Sequence, residues 1–221
     1  MTPQHHLPAD IERTSLSIIT AELEQLGLTP PPETAPVVKR VIHTTADFDY
    51  AKNLRFTPGA VPAAVKALQG GASIVTDTNM ALAGISKPGL RKLGCEAMCY
   101  MADPAVAEAA KQAGTTRAVA AMHRAAAEHP GAILAVGNAP TALLTIAELI
   151  ETARLRPALV IGVPVGFVNV VESKERIIKA AAAPYIVARG RKGGSNVAAA
   201  ICNALVYSAA GMLDPTDRGW K

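Results

Sequence analysis

The sequence predicts an α/β fold: a doubly wound, mainly parallel sheet of five strands with helices on both faces. Three observations lead there. Short apolar β-type runs recur from about residue 59 onward, an Ala-rich stretch of helical character follows each, and the runs are continuously apolar rather than alternating. Strands that read this way are buried on both faces, as in a parallel sheet covered by helices.

Taken in order, residues 8 to 27 read as an opening helix, because Ile11, Ile18, Ile19, Leu23 and Leu26 approximate one helical face and Gly27 supplies a stop. The run TPPPE then breaks the chain. A second helix carries Val37, Val38, Val41 and Ile42 in i, i+4 pairs and leaves His43 near its C-terminal end. The five strands are ASIVTD (72 to 77), CEAMCYM (95 to 101), AILAVG (132 to 137), ALVIGV (158 to 163) and YIVAR (185 to 189). With no internal repeat and no low-complexity linker, residues 1 to 221 read as a single domain, with 1–7 and 212–221 as loose ends.

Composition narrows the function classes. Half of the residues are hydrophobic but only 4% are aromatic, which suits helices packed on a sheet and offers little stacking surface for single-stranded nucleic acid. The formal charge of +4 is scattered except in ARGRKGG (188 to 194), so a moderate attraction for anions is all it implies. Cys95, Cys99 and Cys202 are odd in number and read as reduced, buried thiols rather than metal ligands. No run reaches the roughly 18 apolar residues of a membrane span, and MTPQHHLPAD lacks the order of a secretory signal, so the expected compartment is the cytoplasm.

Ligands of such sheets gather where strands end and helix N-termini begin, so the strand exits carry the candidates. GVPVGF lacks G-x-G-x-x-G and GRKGGS lacks the P-loop spacing, so no nucleotide cofactor is expected. ARGRKGGSN nonetheless follows a strand and opens a helix. Its N–H groups, with Arg189, Arg191, Lys192, Ser195 and Asn196, suit a carboxylate or phosphate, or else form a Gly-rich turn with solvated charges. In GNAPTAL, Asn138 reads as a helix cap and Thr141 as a free hydroxyl. Asp77, beside Thr78 and Asn79, has no second carboxylate nearby and does not read as a metal or acid–base site. Arg117 sits in the first turn of a helix, where the macrodipole disfavours a cation, which makes either a bound anion or plain solvation its explanation. Arg13, Ser15 and Ser17 lie on the more polar side of the first helix, a solvated face unless a ligand meets it.

Five histidines are present: His5 and His6 near the start, His123 and His129 on a helix and its exit, and His43. Only His43 has apolar residues on one side and Thr44, Thr45, Asp47 and Asp49 on the other. At a helix C-terminus with acids nearby it should hold its proton more readily, which suits a donor near neutral pH. There is no nucleophile elbow, no Cys beside His43 and no H-E-x-x-H, so hydrolase templates fail.

Taken together, RVIHTTADFDY, TDTNMALAGI, AVGNAPTAL, IGVPVGFVNVVESKE and YIVARGRKGGSNVAAAICNAL resemble the precorrin-8X methylmutase family of cobalamin biosynthesis, in order, from about Arg13 to Leu205. The resemblance implies a flavodoxin-like sheet and a homodimer that binds a tetrapyrrole with several carboxylates near the subunit boundary. It also implies an isomerase that moves a methyl group from C-11 to C-12 of the ring without methyl donor, metal or redox cofactor. The family's catalytic histidine matches His43, and HTTADFDY resembles the anaerobic branch, whose substrate is cobalt-precorrin-8. For such a ligand the strand exits offer Arg117, Gly193, Gly194, Ser195 and Asn196 for carboxylates, and Ser15, Ser17, Thr78, Asn79, Asn138 and Thr141 as hydroxyl or amide donors. Val165, Gly166 and Phe167 would form an apolar wall. Two rivals remain: a carrier that binds the finished corrinoid unchanged, and a flavin or nucleotide redox protein, suggested by topology alone.

Overall fold

The computed structural model describes residues 7–180 and 182–218. His5 and His6 lie outside the described residues, as do the other residues of 1–6 and 219–221. The helices are α1 (Pro8–Gln25), α2 (Ala35–Thr45), α3 (Asp49–Asn53), α4 (Ala60–Gln69), α5 (Asn79–Gly84), α6 (Lys87–Leu93), α7 (Pro104–Gln112), α8 (Arg117–Glu128), α9 (Pro140–Glu151), α10 (Val170–Ala180) and α11 (Ser195–Ala210). The strands are β1 (Leu54–Phe56), β2 (Ile74–Thr76), β3 (Ala97–Met98), β4 (Ile133–Val136), β5 (Leu159–Gly162) and β6 (Tyr185–Ala188).

All five expected strands are present, but the sheet has six, in the order β1-β6-β5-β4-β2-β3. The count of five is therefore corrected. Strands β2 to β6 pair parallel, whereas β1 lies antiparallel on β6 with Leu54 opposite Ala188 and Phe56 opposite Ile186. The segment Leu-Arg-Phe has no apolar run to announce it, because an edge strand need bury only part of its surface. The strand expected over 95 to 101 shrinks to Ala97–Met98.

Alternate residues of the central strands supply two cores, one on each face of the sheet. Ile133, Ala135, Leu159, Ile161 and Ile186 join residues of α1, α2, α4 and α11, while Leu134, Val136, Val160 and Val187 join residues of α8 and α9. Every residue of β4 and β5 is buried, which is why those runs do not alternate. Each fully buried Leu or Ile among them contributes roughly 1.5–3 kcal/mol.

The tail is not loose over its described part. Met212 is buried, the 3₁₀ turn Pro215–Arg218 packs on α1, and Arg13 reaches Asp214 at 2.7 Å. Arg218 donates to both carboxylate oxygens of Glu12 at 2.7 and 2.8 Å. The polar composition of MLDPTDR concealed these pairings. At the other end, Leu7 starts α1 by accepting from the N–H groups of Asp10 and Ile11.

Candidate active site

His43 lies on the last turn of α2, which closes at Ala46 in the left-handed region with φ 52°. Its groove, about 300 Å³, is lined by Ser15, Ile18, Ile19 and Glu22 of α1 and by Ile42, Ala46 and Phe48. Ser15, Ile18, Ile19 and Glu22 follow the i, i+3, i+4, i+7 spacing of one helical face. Ser17 lies about 200° around the helix from Ser15 and does not line the groove.

The expected proton affinity of His43 is corrected. His43 is exposed on one side, but partial desolvation against the groove and the neighbouring Arg40 hold it below its ordinary value; Glu12 pulls the other way, and Arg218 adds to the depression. The acids expected to raise it are engaged elsewhere, because Asp47 and Asp49 both accept from Lys192 at 2.7 Å. A lowered proton affinity favours the neutral imidazole at rest, with one nitrogen able to donate and one to accept.

Those two ion pairs tie the His43 segment to the β6 exit, and the remaining exits connect from there. The N–H of Gly166, after β5, donates to the carbonyl of Arg191 at 3.2 Å, and that of Gly194 donates to the carbonyl of Val163 at 2.9 Å. Gly193 has to be glycine, because a Cβ there would lie 2.1 Å from the Val163 oxygen. The Ser195 hydroxyl meets that of Thr78 at 2.8 Å, and Thr78 also caps α5 through the N–H of Ala81. Gly137 passes so close beneath Ser195 that a Cβ would meet its Cα at 2.8 Å. Thr141 faces Thr116 at 3.3 Å, the residue that caps α8 directly before Arg117.

Arg117 is exposed and makes no ion pair among the described residues, while Asn138, Asn79 and Asn196 are exposed beside helix N-termini. Val165 is half exposed and Phe167 is 80% exposed, with the Arg191 guanidinium 5.3 Å over its ring. This loop is open apolar surface, as a wall for a flat apolar ligand requires. Arg189 and Lys192 are not free anion donors: Arg189 makes a bidentate pair with Glu175 and Lys192 holds the two aspartates. Asn138 is not the cap of α9. The N-cap is Ala139, and the Asp77 carboxylate from the neighbouring strand accepts the N–H groups of Gly137, Asn138 and Ala139 at 2.8, 2.8 and 2.7 Å. Burial raises Asp77's proton affinity against those three donors, which favour the ionised form.

Two structural contributors escaped the sequence reading. Lys174, fully buried, donates to the carbonyls of Gly190 and Lys192 at 2.8 and 2.9 Å, and burial lowers its pKa to about 8. Its signal was available: Val170, Ser173, Lys174 and Ile177 form the buried face of α10. Glu12, on the buried face of α1, is the other. A larger cleft of about 680 Å³ between α7 and α8, lined by Val106, Val119 and His123 among others, includes none of the candidate residues.

The family model for precorrin-8X methylmutase matches residues 10–208. The cobalt-precorrin-8 methylmutase of Priestia megaterium is 44% identical over 198 residues, covering 90% of this chain and 87% of its own. That of Salmonella typhimurium is 48% identical over 172 residues, covering 77% and 80%. A crystal structure of precorrin-8x methyl mutase from Thermus thermophilus superposes with a TM-score of 0.79 at 42% identity, covering 91% of this chain and 98% of the other. On these matches over nearly its whole length, the chain belongs to the precorrin-8X methylmutase family.

Proposed function

We propose that this protein is an isomerase of cobalamin biosynthesis that moves a methyl group from C-11 to C-12 of cobalt-precorrin-8, with His43 as the proton or hydrogen-bond donor. The observation that carries the proposal is the chain of contacts joining the His43 segment, through Lys192, to strand exits that expose Arg117, Asn138 and Asn196. A ring fringed with acetates and propionates needs such donors around an apolar slot. Arg117, Asn138, Thr141, Ser195, Asn196 and the N–H of Gly193 suit the carboxylates, with Gly194 holding the loop by its own bond to Val163; Ser15, Thr78 and Asn79 add polar contacts, and Val165, Gly166 and Phe167 form the wall. The cobalt-loaded substrate is favoured because the Priestia megaterium and Salmonella typhimurium relatives bear that name, while the Thermus thermophilus structure bears the name without cobalt.

The rearrangement shifts carbon around a conjugated ring and calls for no protein nucleophile. The protein's work is to hold the ring and favour the reactive tautomer. A donor at a pyrrolic nitrogen near the migrating methyl stabilises charge that grows only in the transition state. In the resting site that donor is the single N–H of a neutral imidazole. Substrate carboxylates arriving beside it would draw a second proton onto the ring.

A flavodoxin-like arrangement, with β1 added at an edge, is supported by the strand order β6-β5-β4-β2-β3 of the parallel part of the sheet. The working form is a homodimer with the site near its boundary. Support comes from the single-chain groove, whose 300 Å³ lies at the lower limit of ligand pockets, and from Leu7, Ile11, Ile18 and Leu26, which expose apolar surface along α1. The cytoplasm is its place, as the three free cysteines and the absence of a membrane-crossing helix among the described residues favour.

A spectral assay with cobalt-loaded and metal-free precorrin-8 in parallel tests the proposal. Turnover of many substrate equivalents per chain, faster with cobalt, is the expected result. A spectral change that stops at one equivalent would make the protein a corrinoid carrier instead.

A further inference from the structure

We propose that Glu12, Arg40 and Arg218 form a positioning cluster beside the His43 groove, in which the docked C-terminal turn completes a set of charges that biases the protonation of the imidazole. The inference rests on the reading of His43 as donor and adds residues to which that reading assigns no role.

Glu12 is 4% exposed, too deep to remain charged without partners. It has two. Arg40 Nη2 donates to its Oε1 at 2.6 Å, and Arg218 Nη1 donates to both carboxylate oxygens. Burial opposes ionisation of Glu12, but the hydrogen bonds from both arginines outweigh it and hold the carboxyl below its ordinary value. Both guanidiniums lie against the Tyr207 ring, Arg218 at 3.9 Å and Arg40 at 5.4 Å from its centroid, which fixes their planes. Arg218 further donates to the carbonyls of Met212 and Leu213, so the turn carrying it is closed on itself. Two fixed cations and one anion leave net positive charge.

That charge lies beside the His43 groove, because Glu12 precedes the groove residue Ser15 by one helical turn on α1. Arg40 precedes His43 by one helical turn, on the same side of α2. The other charged groups around the ring count for less. Glu22 lines the groove from α1 but is exposed and screened by water, Asp47 and Asp49 are neutralised by Lys192, and Arg13 pairs with Asp10 and Asp214. Fastening the tail to α1 does not itself require charges, because well-packed apolar residues of similar volume commonly replace a buried ionic triad without loss of stability. Only the charged set places a biased field behind the imidazole. An imidazole kept neutral at rest takes up its proton when an acid-fringed ligand arrives, so the cluster couples protonation to occupancy.

The test is NMR titration of the His43 ring in the substrate-free full-length protein, assigned by difference against His43→Gln. Arg218→Met should raise the midpoint by about 0.5 pH, Glu12→Gln should lower it by a similar amount, and Arg218→Lys should leave it near wild type. Opposite displacements are the signature, because a merely structural loss would not reverse sign with the charge removed. Unmoved midpoints, or displacement of both variants in one direction, would overturn the proposal. Should Arg218→Met fail to fold, a lowered midpoint in Glu12→Gln beside a wild-type midpoint in Arg218→Lys supports it, and equal midpoints refute it. Turnover against pH on the same variants separates the two readings. Midpoints that move while the rate profile stays in place would remove His43 as donor and the cluster's catalytic purpose with it, whereas unmoved midpoints condemn the cluster whatever His43 does.

Discussion

Lys174 is a buried cation with no carboxylate partner among the described residues, held by two carbonyls of the loop that leads from β6 to α11. Its lowered pKa carries a definite sign. Between about pH 8, its value in the fold, and 10.5, its ordinary value, the unfolded chain binds the extra proton, so the fold gains stability as pH rises through that window. Denaturant titrations of wild type and Lys174→Met should therefore diverge by about 3 kcal/mol in favour of wild type between pH 7.5 and pH 10.5. A constant difference would mean that the ammonium is not buried. At pH 7.5 the same variant leaves two carbonyls unpaired, and its KM for the corrinoid should rise more than its kcat falls. Among single residues, His43, Thr78, Ser195 and Thr141 are candidates that the sequence itself offers, because each is polar near the end of an apolar run. The state of His43 could not be read there, because its desolvation against α1 and the charges of Glu12 and Arg218 come to bear on it only after folding.

At the scale of elements, the loop 189–194 connects most of the site. It touches the β5 exit through Gly193 and Gly194, the α2 end through Lys192, and the floor through Lys174. Gly193→Ala would drive a Cβ into the Val163 carbonyl, an overpacking of about 3 kcal/mol or more. Thermal melting should show that loss, and corrinoid binding should weaken with it. Melting and binding close to wild type would refute the described loop path. The helices and five parallel strands were legible because apolar runs and helical periodicity are local signals. β1 was not, because Leu54, Arg55 and Phe56 become a strand only by pairing with β6. The cap of α9 also escaped, since Asp77 reaches it from another strand across 60 residues of chain.

For the whole molecule, the sheet brings five distant stretches of sequence to one edge, and α1 with the docked tail closes the side that holds His43. The tail's place was hidden because ion pairs between residues about 200 positions apart leave no periodic trace. A homodimer should appear by sedimentation at micromolar concentration, and Ile11→Glu on the exposed stripe of α1 should shift it to monomer and lower kcat/KM. An active monomer would dismiss the boundary site. The proposed reaction depends on His43 acting on a ring that other residues hold. It is tested most directly by measuring corrinoid affinity and single-site turnover of His43→Ala side by side. The expected result is binding within a few-fold of wild type with turnover lowered by about 10²–10⁴-fold. Near-normal turnover, or loss of binding equal to the loss of rate, would contradict it.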